Sequence, residues 1–252
     1  MEEYDQHANA KQAFWAVVPA AGIGRRMNSA IPKQYLRLNG LEVLAWTLQR
    51  LQSLSCLQGI ILVLHPQDEY YKTYLAERFP AVRCVPGGNE RVHSVLAGLQ
   101  ALSEHLADND WVLVHDAVRP CVALSDLSKL TRELADDAVG GILASPVKDT
   151  LKMTDQEGFI KQTLNRENCW LAATPQMFRF QLLQQALMQA LEDGAIVTDE
   201  ASALERLNYP VRVLSGRSDN IKITSEEDLS LAEFILTRQG ADSAYAVGQE
   251  VG

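Results

Sequence analysis

The chain has 252 residues, 47% of them hydrophobic, enough to bury one sizeable core or a core with a small appendage. Its formal net charge of −9 excludes the basic surfaces that nucleic acid or an anionic membrane rewards, so an anionic ligand has to be met by locally clustered cations. The opening residues MEEYDQHANAKQ lack an apolar signal core and the longest apolar run, GIILVL, is too short to span a bilayer, so a cytoplasmic protein is expected. Cys56, Cys84, Cys121 and Cys169 form no C-x-x-C pair, which points to buried free thiols rather than to zinc or a disulfide framework.

In chain order, FWAVVP (14–19) reads as a buried strand that breaks into the small-residue turn PAAGIGRRMNSAIPKQY. GIILVL (59–64) and VRCV (82–85) are further strands, and residues 91–107 carry Val92, Val95, Leu96, Leu99, Leu102 and Leu106 at helical spacing. WVLVH (111–115) and GGILASPV (140–147) continue the alternation, which predicts an α/β chain with a mostly parallel twisted sheet and helices on both faces. Residues 148–168 break it: apolar and polar side chains alternate on either side of DQEG, the pattern of a protruding β-hairpin arm. A lone hairpin is marginal in water, so it needs a surface, either a second copy of the chain or its own domain. Towards the end, Thr224 and Glu227 suit a capping box opening a helix through Leu231, Phe234 and Ile235, with Gly240 at its C′ position. The expected organisation is a single domain over 13–240, an arm over 148–169, and flexible tails at 1–12 and 241–252.

A strand that ends in a turn of small residues is where open α/β sheets bind ligands. No Walker pattern is present, and Met27 stands where a dinucleotide fingerprint needs its third glycine. What remains is a turn with little bulk at Ala20, Ala21, Gly22 and Gly24, whose N–H groups can approach a phosphate chain, with Arg25, Arg26 and Lys33 supplying charge. An ordinary connection with solvated charges fits that turn equally well. VHDAVRP (114–120) puts Asp116 and Arg119 at another strand tip, where a carboxylate suits Mg²⁺ beside phosphate oxygens; neighbouring His115 reads as a packed histidine. GGNERVHSVLAGL (87–99) leads from Gly88 and Asn89 into a helix whose first turn shows Arg91 and Ser94 on one face, suited to a base edge, to phosphate or to plain capping.

Seven motifs in order, PAAGIGRRM…PKQY, GGNERVHSVLAGL, VHDAVRPC, PVKDT, TPQMF, TDEASALE and GRSDNIKIT, resemble those of the 2-C-methyl-D-erythritol 4-phosphate cytidylyltransferases of isoprenoid precursor biosynthesis. The resemblance runs from about Trp15 to Arg238 and implies a Rossmann-like nucleotidyltransferase fold, with CTP and a polyol phosphate as substrates and Mg²⁺ or another divalent cation as cofactor. It implies a homodimer built through the arm, and a protein that binds neither nucleic acid nor membrane. Carried over by motif, Arg26 and Lys33 resemble the catalytic cations, Ala20, Ala21, Gly88 and Ser94 the cytidine contacts, and Asp116 the residue near metal and acceptor. Arg166 and Lys222, with Thr150 and Thr198, resemble the groups that position the acceptor phosphate. Two departures stand out: Asn89 where a related pattern has aspartate, and Val118 where it has alanine. Ribitol-5-phosphate cytidylyltransferases share several of these motifs, and a CTP-binding regulator without turnover is the alternative of another class.

The residue types suit the chemistry on their own terms. A phosphate oxygen that attacks the α-phosphorus of CTP is already anionic near neutral pH, so no general base is required. The barrier lies in bringing anions together: like unit charges 4 Å apart cost about 4 kcal/mol at an effective dielectric of about 20. Positioned cations are the remedy.

Overall fold

The computed structural model describes residues 13–22 and 31–249. The first apolar run forms β1 (Phe14–Ala20); a 3₁₀ turn (Lys33–Tyr35) and the short antiparallel pair β2 (Arg37–Leu38) and β3 (Leu41–Glu42) then lead into α1 (Val43–Gln52). Next come β4 (Leu57–Leu64), α2 (Tyr70–Tyr74), β5 (Val82–Pro86), α3 (Arg91–Gln100), β6 (Trp111–Val114), α4 (Leu124–Glu133) and β7 (Gly140–Pro146). The arm follows as β8 (Leu151–Thr154) and β9 (Ile160–Leu164), and the chain returns through β10 (Trp170–Arg179), α5 (Phe180–Glu192), α6 (Glu200–Arg206), β11 (Arg212–Ser215) and α7 (Glu226–Gln249).

Seven strands form one sheet in the order β11-β7-β10-β6-β1-β4-β5. β1 runs parallel to β4 and β6, β4 to β5, and β11 to β7. Within this sheet β10 is antiparallel to both its neighbours, β6 and β7, because the arm is an out-and-back excursion that returns the chain beside the strand it left. Side chains of successive strand residues alternate between two cores. Ala16, Val18, Leu62 and Leu113 face Leu44 and Leu48 of α1 and Leu127 of α4; Val17, Ile61, Val63 and Val112 face Val95 and Leu99 of α3 and Leu183 of α5. Each fully buried Leu or Val contributes about 1.5–3 kcal/mol of transfer free energy, so the two-residue period fixes which helix covers which face. A third cluster seats Ala232, Ile235 and Leu236 of α7 against Val43, Val118, Cys121 and Ile223.

The arm projects from this body, with every residue of β9 exposed and Phe159 and Ile160 at 67% and 62%. Its turn is pinned by Asp155, whose Oδ1 accepts from the N–H groups of Glu157 and Phe159 at 3.1 and 2.9 Å. Three local expectations change. The helix from residue 91 ends at Gln100, and Leu102 and Leu106 keep their burial in the tightened turns that follow. The cap of α7 uses Ser225 and Asp228, since the Asp228 carboxylate collects the N–H groups of Thr224 and Ser225 at 2.7 and 2.8 Å, and Gly240 lies inside the helix. None of the four cysteines is in a disulfide, but Cys121 alone is buried; Cys84 is exposed and Cys56 and Cys169 are half-buried. Among the described residues no helix is long and apolar enough to cross a membrane.

Candidate active site

Three connections at the carboxyl ends of neighbouring strands converge. The end of β1 delivers Ala20, Ala21 and Gly22, the β5–α3 connection delivers Gly88 and Asn89 with Arg91 and Ser94 of α3, and the connection after β6 delivers Asp116, two residues beyond the strand's last residue, Val114; all but Val114 line an open cleft of about 660 Å³. Two of these loops touch so closely that a Cβ on Gly87 would lie 2.6 Å from Ala21 Cβ and 2.8 Å from Ser94 Oγ. Only glycine allows that approach. Ser94 is buried, and its hydroxyl accepts from Gly88 N–H at 3.3 Å, so it also shapes the loop. Glu90, at the N-cap of α3, makes no side-chain capping bond, which leaves the first-turn N–H groups for an anionic group or water.

Lys33 lines the same cleft from the 3₁₀ turn, its Nζ donating to Ile223 O at 3.1 Å. The next residue, Gln34, is buried and donates to Ala20 O at 3.0 Å, tying the turn to the end of β1. Gly24, Arg25 and Arg26 lie outside the described residues.

Asp116 is the hub. Its Oδ1 lies 3.2 Å from Arg91 Nε, and its Oδ2 lies 2.9 Å from Lys222 Nζ and 3.4 Å from Arg119 Nε. Burial alone would raise its pKa, but Arg91, Lys222 and Arg119 outweigh burial and hold the carboxyl well below the usual carboxylate range. Arg91 also grips Glu200, its two terminal nitrogens 2.5 and 3.0 Å from the two carboxylate oxygens. Glu200 is 1% exposed at the start of α6; burial pushes its carboxyl up, and the bidentate guanidinium pulls it back. Lys33, Arg91, Arg119 and Lys222 thus gather at the two clefts in a chain of charge −9, three of them directly around Asp116, while Glu200 pairs with Arg91 and Glu90 and Asp199 line the clefts further out.

A second cleft, of about 560 Å³, opens on the other side of the same hub. Arg119, Thr174 and Thr198 line it, and it shares Arg91, Asp116 and Lys222 with the first. Beneath the hub runs a buried chain of hydrogen bonds. Asp116 N–H donates to Thr174 Oγ1 at 3.0 Å, and Thr174 Oγ1 meets His115 Nδ1 at 3.0 Å. His115 Nε2 donates to Arg119 O at 3.1 Å, since a carbonyl can only accept. That assigns the proton to Nε2 and makes Nδ1 the acceptor of the Thr174 hydroxyl. Burial holds the imidazole neutral, with its pKa lowered to about 4. Asn220 closes the ring, its side-chain amide donating to Thr174 O at 2.8 Å while its backbone carbonyl accepts from Arg119 at 2.7 Å.

The structure therefore brings Ala20, Ala21, Gly22, Lys33, Gly88, Asn89, Arg91, Ser94, Asp116, Arg119, Thr198 and Lys222 together around two adjoining clefts. Thr150 and Arg166 stand apart, exposed at the base of the arm, where Arg166 donates to Lys148 O. Glu200, Thr174, Asn220 and Gln34 are given no role by the sequence reading, although each stands inside a quoted motif (TDEASALE, TPQMF, GRSDNIKIT and PKQY), because the partner through which each acts lies in another segment of the chain.

Comparison with known proteins decides the family. The family profile IspD, 2-C-methyl-D-erythritol 4-phosphate cytidylyltransferase, matches residues 14–238. The chain belongs to this family. The cytidylyltransferase of that name from Ectopseudomonas mendocina is 50% identical over 218 residues, covering 86% of this chain and 93% of that protein. Its counterpart from Pseudomonas putida KT2440 is 48% identical over the same shares. Among solved structures, the Francisella tularensis cytidylyltransferase superposes with a TM-score of 0.77 at 33% identity, covering 89% of this chain and all of the other. A 4-diphosphocytidyl-2C-methyl-D-erythritol synthase superposes at 0.78 with 34% identity, covering 90% and 99%. Of the two departures from the cytidylyltransferase motifs, Asn89 lies exposed on the β5–α3 loop, and Val118 is buried in the cluster that seats α7. The extra methyl groups of Val118 are thereby packed against neighbouring side chains.

Proposed function

We propose that the protein joins CTP to 2-C-methyl-D-erythritol 4-phosphate, giving 4-diphosphocytidyl-2-C-methyl-D-erythritol and pyrophosphate. One observation carries the reading: two clefts meet at a single cationic hub formed by Arg91, Asp116 and Lys222. The glycine-rich side, with Ala20, Ala21, Gly22, Gly88, Asn89 and Ser94, takes the nucleotide; the side with Arg119 and Thr198 takes the polyol phosphate. A phosphate oxygen of the acceptor attacks the α-phosphorus, a new P–O–P bond forms, and the α–β bond breaks to release pyrophosphate. No proton has to be removed from the nucleophile, and Asp116, held ionised by its three cations, is not poised to remove one. Lys33, with Arg26 assigned by its motif, stabilises charge on the transferring phosphates, worth about 2.7–4 kcal/mol for one preorganised donor.

The site also suits Mg²⁺. Asp116 Oδ1 meets one donor and Oδ2 two, so the carboxylate retains acceptor capacity for a hard cation. Among the described residues no three His, Cys, Asp or Glu side chains form a metal cluster, so Asp116 would hold the ion together with phosphate oxygens and water, the ligands that Mg²⁺ prefers. When bound it supplies charge to the nucleotide phosphates.

The arm supports a homodimer. Its exposed Met153, Phe159 and Ile160 need cover, and Thr150 and Arg166 at its base line neither cleft of their own chain. We assign them to the acceptor site of the second subunit. Cysteines outside any disulfide suit the reducing cytoplasm.

A pyrophosphate-release screen tests the reading, pairing CTP, UTP, ATP and GTP with methylerythritol phosphate and ribitol phosphate. Highest kcat/KM is expected for CTP with methylerythritol phosphate, lost on chelation of divalent cations. A preference for ribitol phosphate would reassign the acceptor, and CTP binding with no pyrophosphate from either acceptor would make the protein a nucleotide sensor.

A further inference from the structure

The 3₁₀ turn that carries Lys33 is anchored at more than the active site. Gln34 holds it to β1, and on the far side Tyr35 reaches away from the cleft, 6% exposed, with its hydroxyl 2.8 Å from Asp68 Oδ2. The same carboxylate accepts the N–H of Tyr71 at 3.0 Å through Oδ1, so both of its oxygens are committed, one to the turn and one to the start of α2. The Tyr35 ring stacks on Tyr70 of α2, centroids 5.1 Å apart with planes 21° from parallel. Burial, and then the Asp68 hydrogen bond, push the phenol pKa up, so the hydroxyl keeps its proton and donates. Neither Asp68 nor Tyr35 lines either cleft. Hydrogen bond and stack both bear on a three-residue turn, so a shift of Tyr35 is a shift of Lys33 two residues away.

We propose that Asp68 and Tyr35 are a positioning pair for the reaction, holding the Lys33 turn at the distance from the nucleotide phosphates that transfer requires. The proposal rests on the reading of Lys33 as a transition-state cation. A long, flexible lysine side chain loses rate when its backbone anchor moves, because preorganised charge acts through geometry: a displacement of about 1 Å can cost about 10²-fold. Substrate binding draws on many other contacts and is insulated from the shift. The pair therefore acts on kcat rather than on KM.

The test is a double-mutant cycle on the full-length protein, read by pyrophosphate release with thermal melting alongside. Lys33→Ala is expected to lower kcat about 10²-fold. Tyr35→Phe keeps the ring and its stack, and is expected to lower kcat about tenfold with KM for both substrates within about twofold. In the Lys33→Ala background Tyr35→Phe is expected to cost nothing more, since the group it positions is gone. Asp68→Ala, at a half-buried site, should match Tyr35→Phe and guards against a phenylalanine variant that fails to fold. A kcat for Tyr35→Phe within twofold of wild type, or a full multiplicative loss on top of Lys33→Ala, overturns the pair's role while leaving Lys33 in place. An unchanged kcat for Lys33→Ala overturns the reading of Lys33 itself, and the pair's role with it.

Discussion

Arg91 answers two carboxylates at once, with Nε on Asp116 and both terminal nitrogens on Glu200. Lysine has no planar fork and cannot serve both, so Arg91→Lys is not a conservative change here. Removing one partner of a buried pair costs about 3–5 kcal/mol. Glu200→Gln keeps the volume and one acceptor, so a loss of about 2–3 kcal/mol is expected in the denaturant midpoint, with acceptor kcat/KM down about tenfold as Arg91 turns wholly to Asp116. A stability loss under about 0.5 kcal/mol, a surface-like value, would show that the pair is not holding α6 to α3.

His115 makes a prediction of the opposite kind, about acid. Its pKa is lowered from 6.5 to about 4 by burial, so between those values the unfolded chain binds a proton that the native chain refuses. Stability is then full above about pH 6.5 and declines as pH falls towards 4, by up to about 3 kcal/mol. His115→Gln should be less stable at pH 7, where the ring of hydrogen bonds to Thr174 and Arg119 is damaged, but should show a flatter decline across this window. Urea titrations of both proteins at pH 7 and 4.5 read the difference; parallel slopes would mean that His115 titrates normally.

At the scale of elements, α3 lies close to the sheet at Gly98, where a Cβ would come within 2.5 Å of Val17 Cγ1 and 3.1 Å of Val63 Cγ2. Both neighbours are fully buried on different strands, so neither can give way cheaply. Gly98→Ala should therefore destabilise by about 1–3 kcal/mol in spite of alanine's better helix propensity, measured by denaturant midpoint. A stabilised variant would mean that the helix can lift without penalty.

The arm gives the element-level test of assembly. If Arg166 serves the partner's site, a Lys33→Ala chain mixed with an Arg166→Ala chain forms heterodimers with one doubly damaged site and one intact site. Activity should return on mixing, up to about half of wild type per heterodimer. Verified subunit exchange with no recovery would return Arg166 to its own subunit.

Across the whole molecule, legibility followed sequence distance. Strands β1, β4, β5, β6 and β7 were visible because each is a short apolar run, and the arm because its alternation and turn are local. The antiparallel insertion of β10 was not visible, since partner choice depends on where the arm returns the chain. Asp116 was legible as a carboxylate at a strand tip, but its crowding by Arg91, Arg119 and Lys222 was not, because Lys222 arrives from the segment before α7. Glu200 lies 109 residues from Arg91 and Asn220 lies 46 from Thr174; no local pattern encodes such a pair. The cap of α7 shows the same limit in miniature: three acidic residues crowd its first turn, and only geometry selects Asp228.

The central claim is that the two clefts are one transfer site, with the acceptor phosphate attacking CTP directly across the hub. The most direct measurement supplies methylerythritol phosphate labelled with ¹⁸O in its phosphate and follows the products by ³¹P NMR. The account predicts pyrophosphate formed mole for mole with the cytidylyl product, and label in the oxygen bridging the two phosphorus atoms. Pyrophosphate released without acceptor, or a bridge without label, would contradict it.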